Sequence, residues 1–319
     1  MSLPSWEGVT ATISKDYQLE LLTPLLMHGW QEKTVNKDGK ENNQPVYAET
    51  RVPSFKGVLH YWWRALQTEV SPTALLTEEQ SMFGGTGATK EEGIRSPLML
   101  QIRQPLREGK KKVSALPHKG NVPVIAISGK RDFILTVRLY KKDAHRLESY
   151  HKWLCFMLLL SGFGQRARRG AGALQYDAFQ WSTVQQFQDE LRTILQQCQR
   201  SEQFAFDGAG SAVLRRVAGK AKHPILCGVW VGRSYPGADE ARTAISKAGH
   251  EANPGSRTVQ WLGSAKSKRV ASPLHATVRR IGEGYRPIIS EVIANAEPQY
   301  ENRDYLAARE QFLLFLGVK

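Results

Sequence analysis

The sequence predicts an α+β protein built from two ferredoxin-like domains, and three observations carry that expectation. Apolar residues alternate in several short runs separated by turn-forming residues, the period-2 signature of half-buried strands. Two longer segments repeat apolar residues at helical spacing. In chain order these read strand, helix, two strands, helix, strand, the β-α-β-β-α-β pattern. The pattern fills residues 1–180 and leaves a diverged, strongly basic second domain over residues 181–319. A chain of 319 residues has room for both.

Each element has its own warrant. Tyr17 to Met27 opens with apolar alternation and reads as a strand. Gln31 to Glu49 is polar and rich in Asn, Lys and Gly, so it reads as an exposed loop that orders on a partner. Pro53 to Gln67 is the clearest helix. Phe55, Val58, Leu59, Trp62, Trp63 and Leu66 form one apolar stripe, Ser54 is the expected N-cap, and Lys56, His60, Arg64 and Gln67 line the other side. Gly57 costs this helix about 1 kcal/mol relative to Ala; it reads equally as a tolerated residue or as a place where another backbone or a ligand comes close. Met82 to Gly87 reads as a tight turn, Ser96 to Gln104 as a strand, and Arg107 to Asn121 as a basic, mobile loop. Phe133 to Tyr140 is a strand. His145 to Leu160 is a second helix, with Leu147, Tyr150, Leu154, Met157 and Leu158 inward and Gly162 as its C-cap. Ala173 to Phe179 closes the first domain as a strand. Beyond it, Trp181 to Gln203 is Gln-rich and helical, Val213 to Gly232 holds strand-like segments, and Asp239 to His250 is a short helix. Thr258 to Leu262 and Ala271 to Val278 read as strands. Arg303 to Leu316 is a closing helix with Tyr305, Phe312, Leu313 and Leu316 inward. No internal sequence repeat is present, so the second ferredoxin-like half rests on element order alone.

Lys and Arg total 44 against 30 Asp and Glu, a formal charge of +14, with 41% apolar and 23% charged residues. That composition excludes a wholly disordered, collagen-like or membrane-embedded chain, and the basic surplus points to a polyanion, most often nucleic acid. Cys155, Cys198 and Cys227 are too widely spaced for a C-x-x-C pair, which argues against a zinc finger, a redox pair or a disulfide framework. The longest apolar run, Trp153 to Leu160, falls well short of the about 20 residues a bilayer span needs. The N-terminus lacks a basic segment followed by an apolar one, so no secretory signal is read there and the expected location is the cytoplasm. There is no D-x-D cluster for a two-metal nuclease and no G-x-x-x-x-G-K-[ST] loop; no metal, cofactor or small-molecule substrate is expected.

Three constellations suit RNA. In Gly162 to Gly172 (GFGQRARRGAG), the glycines Gly162, Gly164, Gly170 and Gly172 let backbone amides crowd an anion. Arg166, Arg168 and Arg169 add forked donors without a nearby acid. The G-x-G here is not a dinucleotide fingerprint, because it follows a helix and precedes a strand. The second constellation is the helix face of Lys56, Gly57, His60 and Arg64, with Arg51 just before it. The third is a pair of acid-free stretches. Arg215, Arg216, Lys220, Lys222 and Arg233 lie between Asp207 and Asp239; Arg257, Lys266, Lys268, Arg269, Arg279 and Arg280 lie between Glu251 and Glu283. Of these, Lys266, Lys268 and Arg269 join the expected RNA contacts, and Trp230, Tyr235 and Trp261 are interleaved as stacking candidates. His28 and His60 are the available general bases for a metal-independent ribonuclease, each with a plain packing role as the alternative. Glu49 and Arg51 read as an ion pair.

Several of these residues also match a known family. Thr23-Pro24-Leu25, Glu49 through Leu59, Tyr61 through Ala65, Phe83 through Gly87, the Gly162 to Gly172 loop and Arg269 through Leu274 together resemble the RAMP superfamily. The form is that of the first subunit of the Cmr complex, the type III-B CRISPR RNA-guided effector. The resemblance implies two ferredoxin-like domains of the kind that includes the RNA recognition motif. It also implies a non-catalytic, RNA-binding role near the 3′ end of the guide RNA that helps capture target RNA in antiviral defence. The implied partners are guide (CRISPR) RNA, single-stranded target RNA and the other Cmr subunits, with no membrane involved. Gln31 to Glu49 and Arg107 to Asn121 match no family pattern, and His28 stands where a small residue, often glycine, is expected. Two alternatives come from other classes: a metal-independent endoribonuclease that processes precursor guide RNA, which needs a histidine beside the glycine-rich loop, and a scaffold whose basic surface meets an acidic protein.

Overall fold

The computed structural model describes residues 11–29, 31–35, 41–68, 71–86, 93–120, 123–206, 211–215, 221–252, 261–263, 271–293 and 302–318. In chain order the elements are β1 (Thr12–Leu21), β2 (Gln31–Val35), β3 (Glu41–Pro45), β4 (Ala48–Glu49), α1 (Val52–Ala65), α2 (Pro72–Phe83), β5 (Met99–Arg103), β6 (Arg107–Glu108), β7 (Lys112–Ser114), β8 (Pro123–Ile125), β9 (Arg131–Tyr140), α3 (Leu147–Leu160) and β10 (Leu174–Tyr176). They continue as α4 (Val184–Gln197), β11 (Phe204–Ala205), β12 (Ser211–Arg215), β13 (Ile225–Val231), α5 (Ala238–Glu251), β14 (Leu274–Ile281), β15 (Gly284–Ile293) and α6 (Arg303–Phe315). The protein is thus a mixed α+β chain.

Four strands make one antiparallel sheet in the order β10-β1-β9-β5. Tyr17 pairs with Leu135 and Leu19 with Phe133, and directly opposed residues share a face, so these four fully buried side chains form one apolar surface. α1 covers it. Phe55 stacks on Phe163 with centroids 4.6 Å apart and meets Phe133 edge-on at 5.9 Å; Trp62 meets Phe156 of α3 at 5.7 Å. The second sheet is antiparallel in the order β11-β12-β13-β15-β14. Here β13, α5, β14, β15 and α6 follow as strand, helix, strand, strand, helix, and the free flank of β13 is taken by β12, which precedes it in sequence.

α3 lies between α1, α4, β10 and β15. Residues Trp153 through Leu160 are therefore all buried, where one inward face was expected, because a helix enclosed on every side has no solvent stripe. One apolar cluster joins Tyr17, Trp62 and Phe156 to Val213, Val229 and Ile288, so the core runs across residue 180. A second packs α5 and α6 on β14 and β15 through Ile245, Tyr305 and Phe312.

A buried arginine seals α3. The Arg279 side chain has no exposed surface; it donates to the Leu158 and Ser161 carbonyls at the end of that helix, to Thr277 Oγ1 (3.0 Å) and to Val278 O (2.7 Å). Desolvation holds its guanidinium down to about 9, still charged at neutral pH.

Several expectations need correction. α1 begins at Val52 behind Arg51, with Ser54 already inside the helix and no side-chain cap. The strand from Tyr17 ends at Leu21, not Met27. Polar Gln31 to Glu49 is largely a hairpin of β2 and β3 followed by β4, which pairs with β6. Over its described residues, 107–120, the basic Arg107 to Asn121 stretch carries regular structure: β7 pairs with β8, and a 3-10 turn, Pro117–Lys119, rests against α5. Met82 and Phe83 belong to α2 rather than to a turn. α3 ends through extended Ser161, so Gly162 is not a left-handed cap. The strand expected from Ala271 spans Leu274–Ile281, and Trp261 and Leu262 form a turn. The three cysteines are free. Among the described residues, no helix is long and apolar enough to cross a membrane.

Candidate nucleic-acid interface

The Gly162–Gly172 loop is built by backbone contacts on two sides. It folds back on itself with Phe163 N donating to Gly172 O (3.0 Å). The segment after β1 grips it: Gln165 N donates to Leu26 O (2.7 Å), Gly172 N to Pro24 O (2.9 Å), and Thr23 Oγ1 to Gly170 O (2.7 Å). β14 holds the other side through Gly170 N to Ala276 O (2.8 Å) and Ala276 N to Arg168 O (3.3 Å). Gly164 and Gly172 have φ of +76° and +61°; a Cβ on Gly164 would stand 2.6 Å from Leu26 O, and one on Gly172 would collide with the Phe163 carbonyl. These glycines therefore serve close backbone approach. The amides of Phe163, Gln165, Arg169, Gly170, Ala171 and Gly172 all donate within the protein, so the expected cradle of loop amides is largely spent and anion contact falls to the side chains.

Those side chains meet at a cleft of about 500 Å³ between the loop, the Pro117–Lys119 turn and α5. Its lining brings Arg166, Arg168 and Arg169 together with His118, Lys119, Ser246 and His250, and includes no carboxylate among the described residues. Arg166 is exposed and holds φ +61°, a left-handed conformation uncommon for a side chain of this size. Arg168 donates to Ser272 O and lies over the Tyr61 ring at 5.8 Å. Arg169 donates to Leu262 O and lies over Phe312 at 5.8 Å; burial, with Arg166 and Arg168 beside it, holds its guanidinium down to about 10. His118 Nδ1 sits 2.7 Å from Ser246 Oγ, and its ring stacks on His250 at 5.0 Å. Burial, then His250, Lys119 and Arg166, push His118 below its ordinary value.

The α1 face is less free than its sequence suggests. Glu79 of α2 takes a hydrogen bond from His60 Nδ1 (2.6 Å) and an ion pair with Arg64 (3.3 Å). Lys56 reaches Ser96 Oγ at 3.4 Å. Gly57 is exposed, and a Cβ there would meet nothing within 4 Å. Arg51 donates to His28 O (2.9 Å) and pairs with Glu49 at 3.7 Å, the expected ion pair. α1 reaches the loop through Tyr61, whose hydroxyl is 2.9 Å from His275 Nε2 and whose ring lies under Arg168.

In the acid-free stretches, Arg279 is sunk as described, Arg215 is directed to Leu226 O (2.6 Å) and Gln203 (2.9 Å), and Arg280 pairs with Glu20 (2.9 Å). Lys266, Lys268 and Arg269 lie outside the described residues, as do Arg216, Lys220 and Arg257. Trp230 is buried and belongs to the second core cluster. His28 Nε2 is 2.7 Å from Ile125 O. The sequence reading passed over His118, Lys119, Ser246 and His250. The available signal was Leu116-Pro117-His118-Lys119, where the proline opens the 3-10 turn inside the basic stretch.

Comparison with known proteins follows the same lines. Residues 18–175 match the model of the RAMP superfamily. No curated protein sequence matches the chain. Among solved structures, the crystal structure of Cmr1 from Pyrococcus furiosus in its apo form is similar at 15% identity and TM-score 0.52, over 89% of this chain and 88% of that one. A chain of the type III-B Cmr-beta complex bound to cognate target RNA is similar at 11% identity and TM-score 0.52, over 96% and 100%. A chain of the same kind of complex, with AMPPnP in state 2 in the presence of ssDNA, gives 12% identity and TM-score 0.53, over 94% and 98%. At these identities the likeness is one of fold.

Proposed function

The N-terminal half of the chain, residues 18–175, belongs to the RAMP superfamily, and on that premise we propose that the protein is a non-catalytic RNA-binding subunit of a type III-B CRISPR (Cmr) effector complex. In this reading it lies near the 3′ end of the guide RNA, contacts guide and single-stranded target RNA, and docks on other Cmr subunits. The observation that carries it is the cleft beside the Gly162–Gly172 loop, where three arginines, a lysine and two histidines line one surface without a carboxylate. The strand order β10-β1-β9-β5 around α1 and α3 supports a ferredoxin-like unit over residues 1–180. β13-β15-β14 with α5 and α6 supports a diverged one over residues 181–319.

Salt dependence tests the electrostatic core of the proposal. If about six phosphates are neutralised on a single strand, log K should fall with log salt at a slope of about −4, a few-hundredfold loss between about 50 and about 200 mM. A slope near zero for the purified protein and single-stranded RNA would reject it.

The endoribonuclease alternative has one observation in its favour: His118 and His250 stand at the loop. They are stacked on each other at 5.0 Å, on one side of the cleft, whereas in-line transfer wants a base and an acid on opposite sides of phosphorus. Metal-free cleavage of a repeat-containing RNA that disappears in His118→Ala would decide for the enzyme.

A further inference from the structure

Two buried side-chain nitrogens on the walls of the cleft have no hydrogen-bond partner among the described residues. Arg169 uses Nη2 on Leu262 O, and its Nη1 is buried and unpartnered. His118 uses Nδ1 on Ser246, and its Nε2 is buried and unpartnered. Buried polar atoms normally find partners, and both of these side chains line the same cavity, whose described lining includes no carboxylate. On its open side stands Arg166, exposed at φ +61°. A long side chain in that conformation is disfavoured, and nothing in the loop requires an arginine there: its carbonyl accepts from Arg169 N and Ala171 N, a backbone role that glycine would fill with less strain.

Resting on the RNA-binding reading above, we infer that this cleft is a subsite for one phosphodiester of the RNA backbone, held between Arg166 on the loop and His118 on the Pro117–Lys119 turn, with Arg169 behind them. A phosphate oxygen supplies an acceptor for Arg169 Nη1, and for His118 Nε2 when that nitrogen carries a proton, after a small rotation of their terminal torsions, and the forked guanidinium of Arg166 presents two parallel donors to the same group. His118 joins fully once protonated, when both ring nitrogens donate. The charged and titratable groups around it are Lys119 on its own turn, Arg166 on the loop, and His250 and Glu251 on α5. The cations oppose its protonation in the free protein, and a bound phosphate reverses that balance.

The test uses the full-length protein, single-stranded RNA of mixed sequence, and fluorescence anisotropy at about pH 6 and about pH 8, on either side of the ordinary histidine value. Arg166→Gly should leave the thermal midpoint unchanged or raised. The same variant should weaken RNA binding about tenfold and reduce the magnitude of the salt slope by about 0.7. His118→Asn should weaken binding several-fold at the lower pH and leave it nearly unchanged at the higher. If wild type binds RNA with the expected salt slope while both variants match it, the subsite is wrong and the RNA-binding reading stands. If wild type shows no salt-dependent binding, the broader reading fails first. Equal loss at both pH values in His118→Asn would assign that ring to packing and overturn its role as a donor.

Discussion

A guanidinium inside an apolar interior persists only where acceptors replace its water. For Arg279 these are three backbone carbonyls, two of them at the end of α3, and the Thr277 hydroxyl. Arg279→Met should cost about 3 kcal/mol in urea unfolding, because the carbonyls of Leu158 and Ser161 lose this donor where water cannot replace it. Arg64→Met, whose guanidinium is half exposed beside Glu79, should cost under about 1 kcal/mol. Histidines set the acid limit. His275 packs against Tyr61 and Trp62, and desolvation, with Arg168 and Arg169 nearby, holds it well below its ordinary value. The unfolded chain therefore takes up the proton first as pH falls, and stability drops below about pH 6.5 by up to about 1.4 kcal/mol per pH unit for this group. His118 and His151 are shifted in the same direction. Urea titrations over that range should show the decline, and His275→Gln should flatten it. At this scale the sequence misled in a specific way. A stretch without acids looked like an exposed basic track, yet Arg215 and Arg279 turn inward to carbonyl, amide and hydroxyl oxygens, acceptors that no side-chain pattern announces.

Helices with strong apolar stripes were legible, and elements held by docking were not. α1 and α3 followed from spacing, and α6 buried Tyr305, Phe312, Leu313 and Leu316 as read. α2 escaped because it buries only Leu75 and Phe83 and exposes most of its surface. That omission changed the reading of its neighbour, since Glu79 on α2 is what occupies His60 and Arg64. The Arg107 to Asn121 stretch was legible as basic and turn-rich, but its order comes from resting on α5, a contact more than a hundred residues distant in sequence. Gly57 gives a clean test within α1. With open space around it, Gly57→Ala should raise helix stability by about 1 kcal/mol, seen as a higher thermal midpoint. A simultaneous loss of RNA affinity would show that another chain approaches α1 there.

Across the whole molecule, element order and the packing of two halves on each other were readable, and the sharing of one apolar core between them was not. The sequence offered residue 180 as a boundary, whereas the apolar cluster runs through it and β14 pairs with the glycine-rich loop. Calorimetry should therefore show one cooperative transition, with the ratio of calorimetric to van't Hoff enthalpy near one; two separated transitions would mean that the halves fold independently. The placement of β12 on the flank of β13 was equally hidden, because strand order depends on long-range pairing rather than local pattern.

The seal on α3 also bears on biosynthesis. Its acceptors are made early, at Leu158 and Ser161, while the guanidinium that meets them arrives with β14, more than a hundred residues later. Domains usually settle in the order in which they leave the ribosome. Here the first sheet emerges nearly complete, but the loop that bears Arg166, Arg168 and Arg169 has no partner for Gly170 N until Ala276 has been translated. A nascent chain released early would expose an unfinished helix end and an unpaired loop, so a chain terminated anywhere before β14 should fold poorly and be degraded quickly, as pulse-chase would show.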